Sequence, residues 1–153
     1  MLFNYFTKGV KMNKKLLINL FLVLFSTTSF ASEFTIEMLN DRSDGERMVY
    51  SEDITKINVG DTIKWVPTTK NHNVHFLAGP EGWEIPKPSK LNAEYSYTFE
   101  EPGIYYYQCT PHDTIGMIAL IVVGDDISNK EIIAKATARG KSKIKLKKLI
   151  NQL

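Results

Sequence analysis

Cysteine is almost absent: the chain has one, Cys109. An internal disulfide is therefore excluded, and the thiol is a buried structural group, a link to another chain or a metal ligand. Histidine is nearly as scarce, with only His72, His75 and His112. Three imidazoles are too few for a metal cluster or for two separate histidine-rich metal sites. Internal repeats and low-complexity tracts are missing. Ser32 to Asp126 also lacks a basic stripe interleaved with aromatics, which argues against nucleic acid as a partner.

Long apolar runs are missing too, apart from Leu16 to Phe25. That run is short for a membrane span. It follows Lys8, Lys11, Lys14 and Lys15 and precedes the small residues Ser29 and Ala31 around Phe30, the order of a secretory signal. Residues 1–31 read as a signal peptide, and Met12 would begin a more ordinary one than Met1. An uncleaved anchor is the alternative. Without this segment the chain carries fifteen basic and seventeen acidic residues. They are unevenly spread, with seven basic and sixteen acidic from Ser32 to Asp126, then eight basic and one acidic. An exported protein meets oxidising conditions, where a free exposed thiol is a liability and a metal-bound thiolate is not.

Apolar and polar residues alternate along 34–39 and 95–99, further short strand-like runs lie at 48–50, 54–59, 62–66, 74–77 and 104–108, and the apolar run 118–123 reads as a buried strand. Gly-, Pro- and Asp-containing turns separate them, and a long connection rich in Gly and Pro covers 78–92. Many short strands with frequent turns predict an all-β sandwich or barrel over 32–125. The pattern changes at residue 126. Ser128 and Glu131 form a capping box, predicting a helix to about Ala138, stopped by Arg139-Gly140. Leu146, Leu149, Ile150 and Leu153 share one face of a second helix, which should pack on the sandwich with its lysines in water. A basic helix lying on a membrane surface is the sharper alternative.

Chemistry concentrates in Cys109-Thr110-Pro111-His112-Asp113-Thr114-Ile115-Gly116-Met117. Thiolate, imidazole and thioether are soft or borderline donors that suit copper better than magnesium or calcium. The spacing Cys-x2-His-x4-Met is that of a mononuclear blue-copper loop. Such a site needs one more imidazole, for which His72 and His75 compete. Strand alternation puts Val74 and His75 on opposite faces. Met38 reads as plain core.

From Phe34 onward the chain resembles the pseudoazurins, small periplasmic cupredoxins. The likeness rests on Glu37-Met38-Leu39-Asn40, Gly60-Asp61-Thr62, His72-Asn73-Val74, Pro102-Gly103 with Tyr105, Cys109-Thr110-Pro111-His112, Gly116-Met117 and Val123-Gly124-Asp125. The loop spacing alone would also fit plastocyanin, but the helical tail separates the two. The resemblance implies a Greek-key β-sandwich with two C-terminal helices and one copper ion per chain. It implies that His72, Cys109 and His112 ligate in a plane and Met117 axially, leaving His75 a structural or surface role. It further implies that the Asn73 backbone N–H bonds the cysteine sulfur, and that Met48 packs near the loop imidazole.

The function implied is that of an electron carrier, not an enzyme. Its partners would be transient: a nitrite or nitrous oxide reductase and membrane or periplasmic cytochromes. It would be monomeric and without stable membrane association. Three departures bear on docking. Gln108 and Asp41 stand where the family often has basic residues, and Asp113 puts an acid beside a ligand. A copper enzyme would need a second metal, reached through histidine adjacent to Cys109, but Gln108 and Thr110 stand there. A copper store would show a more methionine-rich, open site.

Overall fold

The computed structural model describes residues 31–153. The signal peptide, the alternative start at Met12 and the anchor alternative lie outside the described residues. No helix among the described residues is long and apolar enough to cross a membrane.

Eight strands follow in order: β1 Glu33–Asp41, β2 Arg47–Tyr50, β3 Ile54–Ile57, β4 Thr62–Pro67, β5 His75–Ala78, β6 Tyr95–Thr98, β7 Gly103–Gln108 and β8 Ile118–Val123. They make two four-stranded sheets, ordered β2-β1-β4-β6 and β3-β8-β7-β5. The pairs β1–β4 and β3–β8 are parallel and the remainder antiparallel. Two helices close the chain, α1 Lys130–Ala134 and α2 Gly140–Ile150. The expected cupredoxin sandwich with a helical tail is what the chain forms, and Met38 is core as expected.

Every residue of β7 and β8 is buried, because both faces of these strands are covered. Side chains alternate along a strand. Tyr105, Tyr107, Ala119, Ile121 and Val123 therefore enter the core between the sheets. Ile104, Tyr106, Ile118, Leu120 and Val122 face Ile133 of α1 and Leu146, Leu149 and Ile150 of α2. Full burial of each such aliphatic side chain contributes about 1.5–3 kcal/mol. Covered faces explain why 118–123 reads as an unbroken apolar run. The parity of β7 also carries Cys109 into the inter-sheet core, where Met117 joins it.

The helical tail departs from expectation at its first helix. Ser128 does not cap it: the N-cap is Asn129, no side chain bonds there, and the helix ends at Ala134. Asn129 is occupied elsewhere. Its amide donates to Ile104 O and its Oδ1 accepts from Ile104 N, both at 2.8 Å. That clamp fixes the chain against β7, and the Ser128 N–H goes to Asp126 instead. Gly140 is not a stop but the first residue of α2, with φ +54°. The second helix packs as its pattern predicts, burying Leu146, Leu149 and Ile150. Lys145 is the exception among its lysines, paired with Asp53 at 2.7 Å.

Candidate metal centre

Beyond β7, Cys109 is followed by a single turn of 3-10 helix, Thr110–His112, with Pro111 near its start, where a missing N–H costs nothing. His112 N donates to Cys109 O at 3.1 Å, and Cys109 N donates to Met117 O at 2.9 Å. The second bond closes the mouth of the loop and sets Met117 beside the cysteine. Gly116, at φ +111°, makes the return into β8 in a conformation that favours glycine.

The other imidazole comes from the turn before β5. His72 is fully buried. Its Nε2 lies 2.9 Å from Asn40 Oδ1 and 3.1 Å from Thr69 Oγ1. A proton on Nε2 satisfies Asn40 and leaves the Nδ1 lone pair free, 3.7 Å from Cys109 Sγ. His112 presents its own Nδ1 to the same sulfur at 3.4 Å. The donor atoms of His72, Cys109 and His112 all lie within 4.8 Å of one another, and the two rings are tilted at 54° with centroids 5.0 Å apart.

Asn73 ties the two ligand segments together. Its Oδ1 accepts the Thr110 N–H at 2.8 Å, and its amide donates to Thr110 Oγ1 at 3.1 Å and Ser89 O at 3.2 Å. Tyr50, buried under the site, donates its hydroxyl to Asn73 O at 2.8 Å. The polar neighbours of the sulfur are His112 Nδ1, His72 Nδ1 and the Asn71 carbonyl, at 3.4, 3.7 and 3.8 Å; the bond expected from the Asn73 N–H is not among them. Roles for Asn40 and Thr69 and for the Asn73 side chain were not visible in the sequence. Asn40 and the Asn73 side chain act across long sequence separation, Thr69 acts from only three residues away, and an asparagine near a turn carries no signal of its own.

His75 stands outside the cluster, with its Nδ1 3.5 Å from Thr110 Oγ1 and its backbone paired to Gln108. Met48 packs against the core cluster that contains Cys109 and Met117, at φ +52°.

The electrostatics of the site suit a bound cation. Burial pushes the Cys109 thiol up to about 11, and the nearby N–H dipoles of Asn73 and His112 only partly offset this. Burial, then the neighbouring charge of His112, lowers His72 to about 4. Burial also lowers His112. Three neutral donors therefore converge in a pocket that would stabilise a thiolate only beside a positive ion. Two nitrogens and a thiolate, with a thioether adjoining, are a donor set for a soft or borderline transition metal.

Residues 36–124 match the profile described as copper binding proteins, plastocyanin/azurin family. A pseudoazurin of Paracoccus pantotrophus is 40% identical over 110 residues, 71% of this chain and 74% of that protein. The chain belongs to the pseudoazurins. Methylorubrum extorquens AM1 has a relative 38% identical over 103 residues, 66% of this chain and 68% of that one. The solved pseudoazurin of Hyphomicrobium denitrificans superposes with a TM-score of 0.70 at 32% identity, over 79% of this chain and 98% of that one. A Sinorhizobium pseudoazurin gives 0.74 at 38% identity, over 79% and 95%. The cofactor of the family is copper, and its members carry electrons and are not enzymes.

All three docking departures look different in the fold. Asp41 pairs with Arg47 at 2.8 Å and Asp113 with Arg139 at 3.6 Å, so each acid faces a cation. Gln108 is 8% exposed and contributes little to the surface.

Proposed function

We propose that the chain is a periplasmic one-electron carrier that holds a single type 1 copper ion. His72 Nδ1, Cys109 Sγ and His112 Nδ1 would hold the ion, with the Met117 thioether as the fourth donor. The observation that carries this reading is the convergence of three donor atoms within 4.8 Å in a buried, uncharged pocket. Bound copper supplies a one-electron couple between its two common oxidation states.

The protein's part is to keep the donors fixed. The Asn40 and Thr69 bonds hold the His72 ring, and the Asn73 bonds hold Thr110 against the His72 turn. Ligands that cannot rearrange lower the reorganisation that accompanies electron transfer. His112 is the only half-exposed member of the trio and is the electron port. Lys70 precedes the His72 turn. Ser89 and Asn92 donate their N–H groups to Val74 O at 2.8 Å and His72 O at 2.9 Å, so Lys90 flanks the same edge. These lysines suit a transient acidic redox partner such as a nitrite or nitrous oxide reductase, supplied by a cytochrome, with the carrier acting as a monomer.

An optical spectrum and redox titration of the copper-loaded protein test the reading. An intense visible thiolate-to-copper band is expected, lost in Cys109→Ser and His72→Ala and kept in His75→Ala. A blue Cys109→Ser protein would refute the ligand assignment.

A further inference from the structure

The start of α2 rests on the metal loop. Ser142 is fully buried, and its hydroxyl donates to the carbonyl of Asp113, the residue after His112. One residue earlier, Lys141 N donates to Thr114 O at 2.8 Å. Gly140 sits so close to Thr114 that a Cβ there would collide with the Thr114 carbonyl, and its φ of +54° itself favours glycine. Arg139 adds an ion pair to the Asp113 carboxylate at 3.6 Å. The segment 139–142 thus engages the His112 end of the loop through two hydrogen bonds, one close backbone approach and one charge pair. Inside the loop, Ile115 N and Met117 N both return to His112 O, at 3.2 and 3.4 Å. His112 is therefore fixed from within by long bonds and from outside by the helix.

We propose that Ser142 is a positioning residue for the metal centre, and that the N-terminal turn of α2 clamps the Asp113-Thr114 backbone so that the His112 ring stays aimed at Cys109 with or without metal. The consequence for electron transfer rests on the copper reading above; the clamp itself does not. An unclamped loop would let the His112 ring move away from the sulfur. Oxidised copper holds imidazole more tightly than reduced copper does, so loosening this ligand penalises the oxidised state more.

Hydrogen exchange on the metal-free protein, with copper spectroscopy beside it, tests the proposal. Ser142→Ala removes the hydroxyl at nearly constant shape, and Gly140→Ala forces the helix off Thr114. Both should speed exchange at the Ile115 and Met117 amides by about five- to tenfold, the net effect of one ordinary hydrogen bond. In the copper-loaded variants the reduction potential should rise and the visible band should shift. Ile133→Val, in the same helical layer but remote from the loop, is the control. It should lower the unfolding midpoint and leave loop exchange, potential and band unchanged. Wild-type exchange and potential in both Ser142→Ala and Gly140→Ala would overturn the clamp, as would equal shifts in Ile133→Val. A wild-type chain that takes up copper without an intense visible band would overturn the proposed function, while the metal-free exchange experiment would still decide on the clamp.

Discussion

The Nε2 of His72 and the Oδ1 of Asn40 lie 2.9 Å apart, which fixes which nitrogen of the buried ring is free to bind metal. Partners of this kind typically alter metal affinity about 10–100-fold when removed. Asn40→Ala should weaken copper binding by that amount and leave the visible band in place, since the ligands themselves remain. Competition against a copper chelator measures it, and unchanged affinity would show that Thr69 alone suffices to orient the ring.

Asn73 bridges the two ligand segments, and Asn73→Ala leaves the Thr110 N–H without its side-chain acceptor. Thr110 is exposed, so water can partly replace the bond and its loss costs about 0.5–1.5 kcal/mol. Urea unfolding of the metal-free protein should register a loss of that size. Asn73→Asp keeps an acceptor for Thr110 but loses the donation to Ser89 O, so its loss should be smaller. Equal losses in the two variants would show that the donor side of the amide dominates.

Acid should destabilise the metal-free protein through His72. Its folded value, about 4, lies below the ordinary histidine value of 6.5. The unfolded chain therefore binds the proton first. The stability that the neutral ring contributes is complete above pH 6.5, falls as pH drops from there, and is lost once pH passes through about 4. At about 1.4 kcal/mol per pKa unit, the contribution is at most about 3.5 kcal/mol. His72→Gln should flatten the midpoint of unfolding across that window; an undiminished slope would place the acid sensitivity elsewhere.

Docking should be steered by charge. Rates with an acidic redox partner should fall as salt rises, because screening shortens the reach of Lys70 and Lys90. Lys90→Glu should slow association and reduce the salt dependence. Asp113→Asn, by freeing Arg139 from its acid partner, should raise the low-salt rate. Stopped-flow rates flat from low to high ionic strength would show that these lysines do not steer.

Much of the site was legible because its parts are local. Cys109, His112 and Met117 stand on one loop, and strand parity in β7 places the thiol in the core. Distinguishing His72 from His75 took the family likeness; the fold separates them by burying one at a turn and placing the other on β5. The capping box at Ser128 misled because tertiary contact overrode local preference, Asn129 being committed to Ile104. The clamp by α2 had no sequence signal. Gly140 reads as a helix stop and Ser142 as an ordinary helix residue until they meet Thr114 and Asp113, far away in the chain.

The mouth of the metal loop is closed by the Cys109–Met117 backbone bond, at the end of the β7–β8 hairpin. That has a kinetic side. A hairpin zips locally, so three of the four proposed donors come together with little loop-closure entropy. His72 must arrive across a separation of 37 residues, a step that waits for the sandwich to condense. The unfolded chain can thus hold copper through the hairpin donors before His72 arrives. Affinity for the unfolded chain subtracts from the stabilisation that a bound ion gives. Copper should accordingly raise the melting temperature of this protein by less than its native affinity implies.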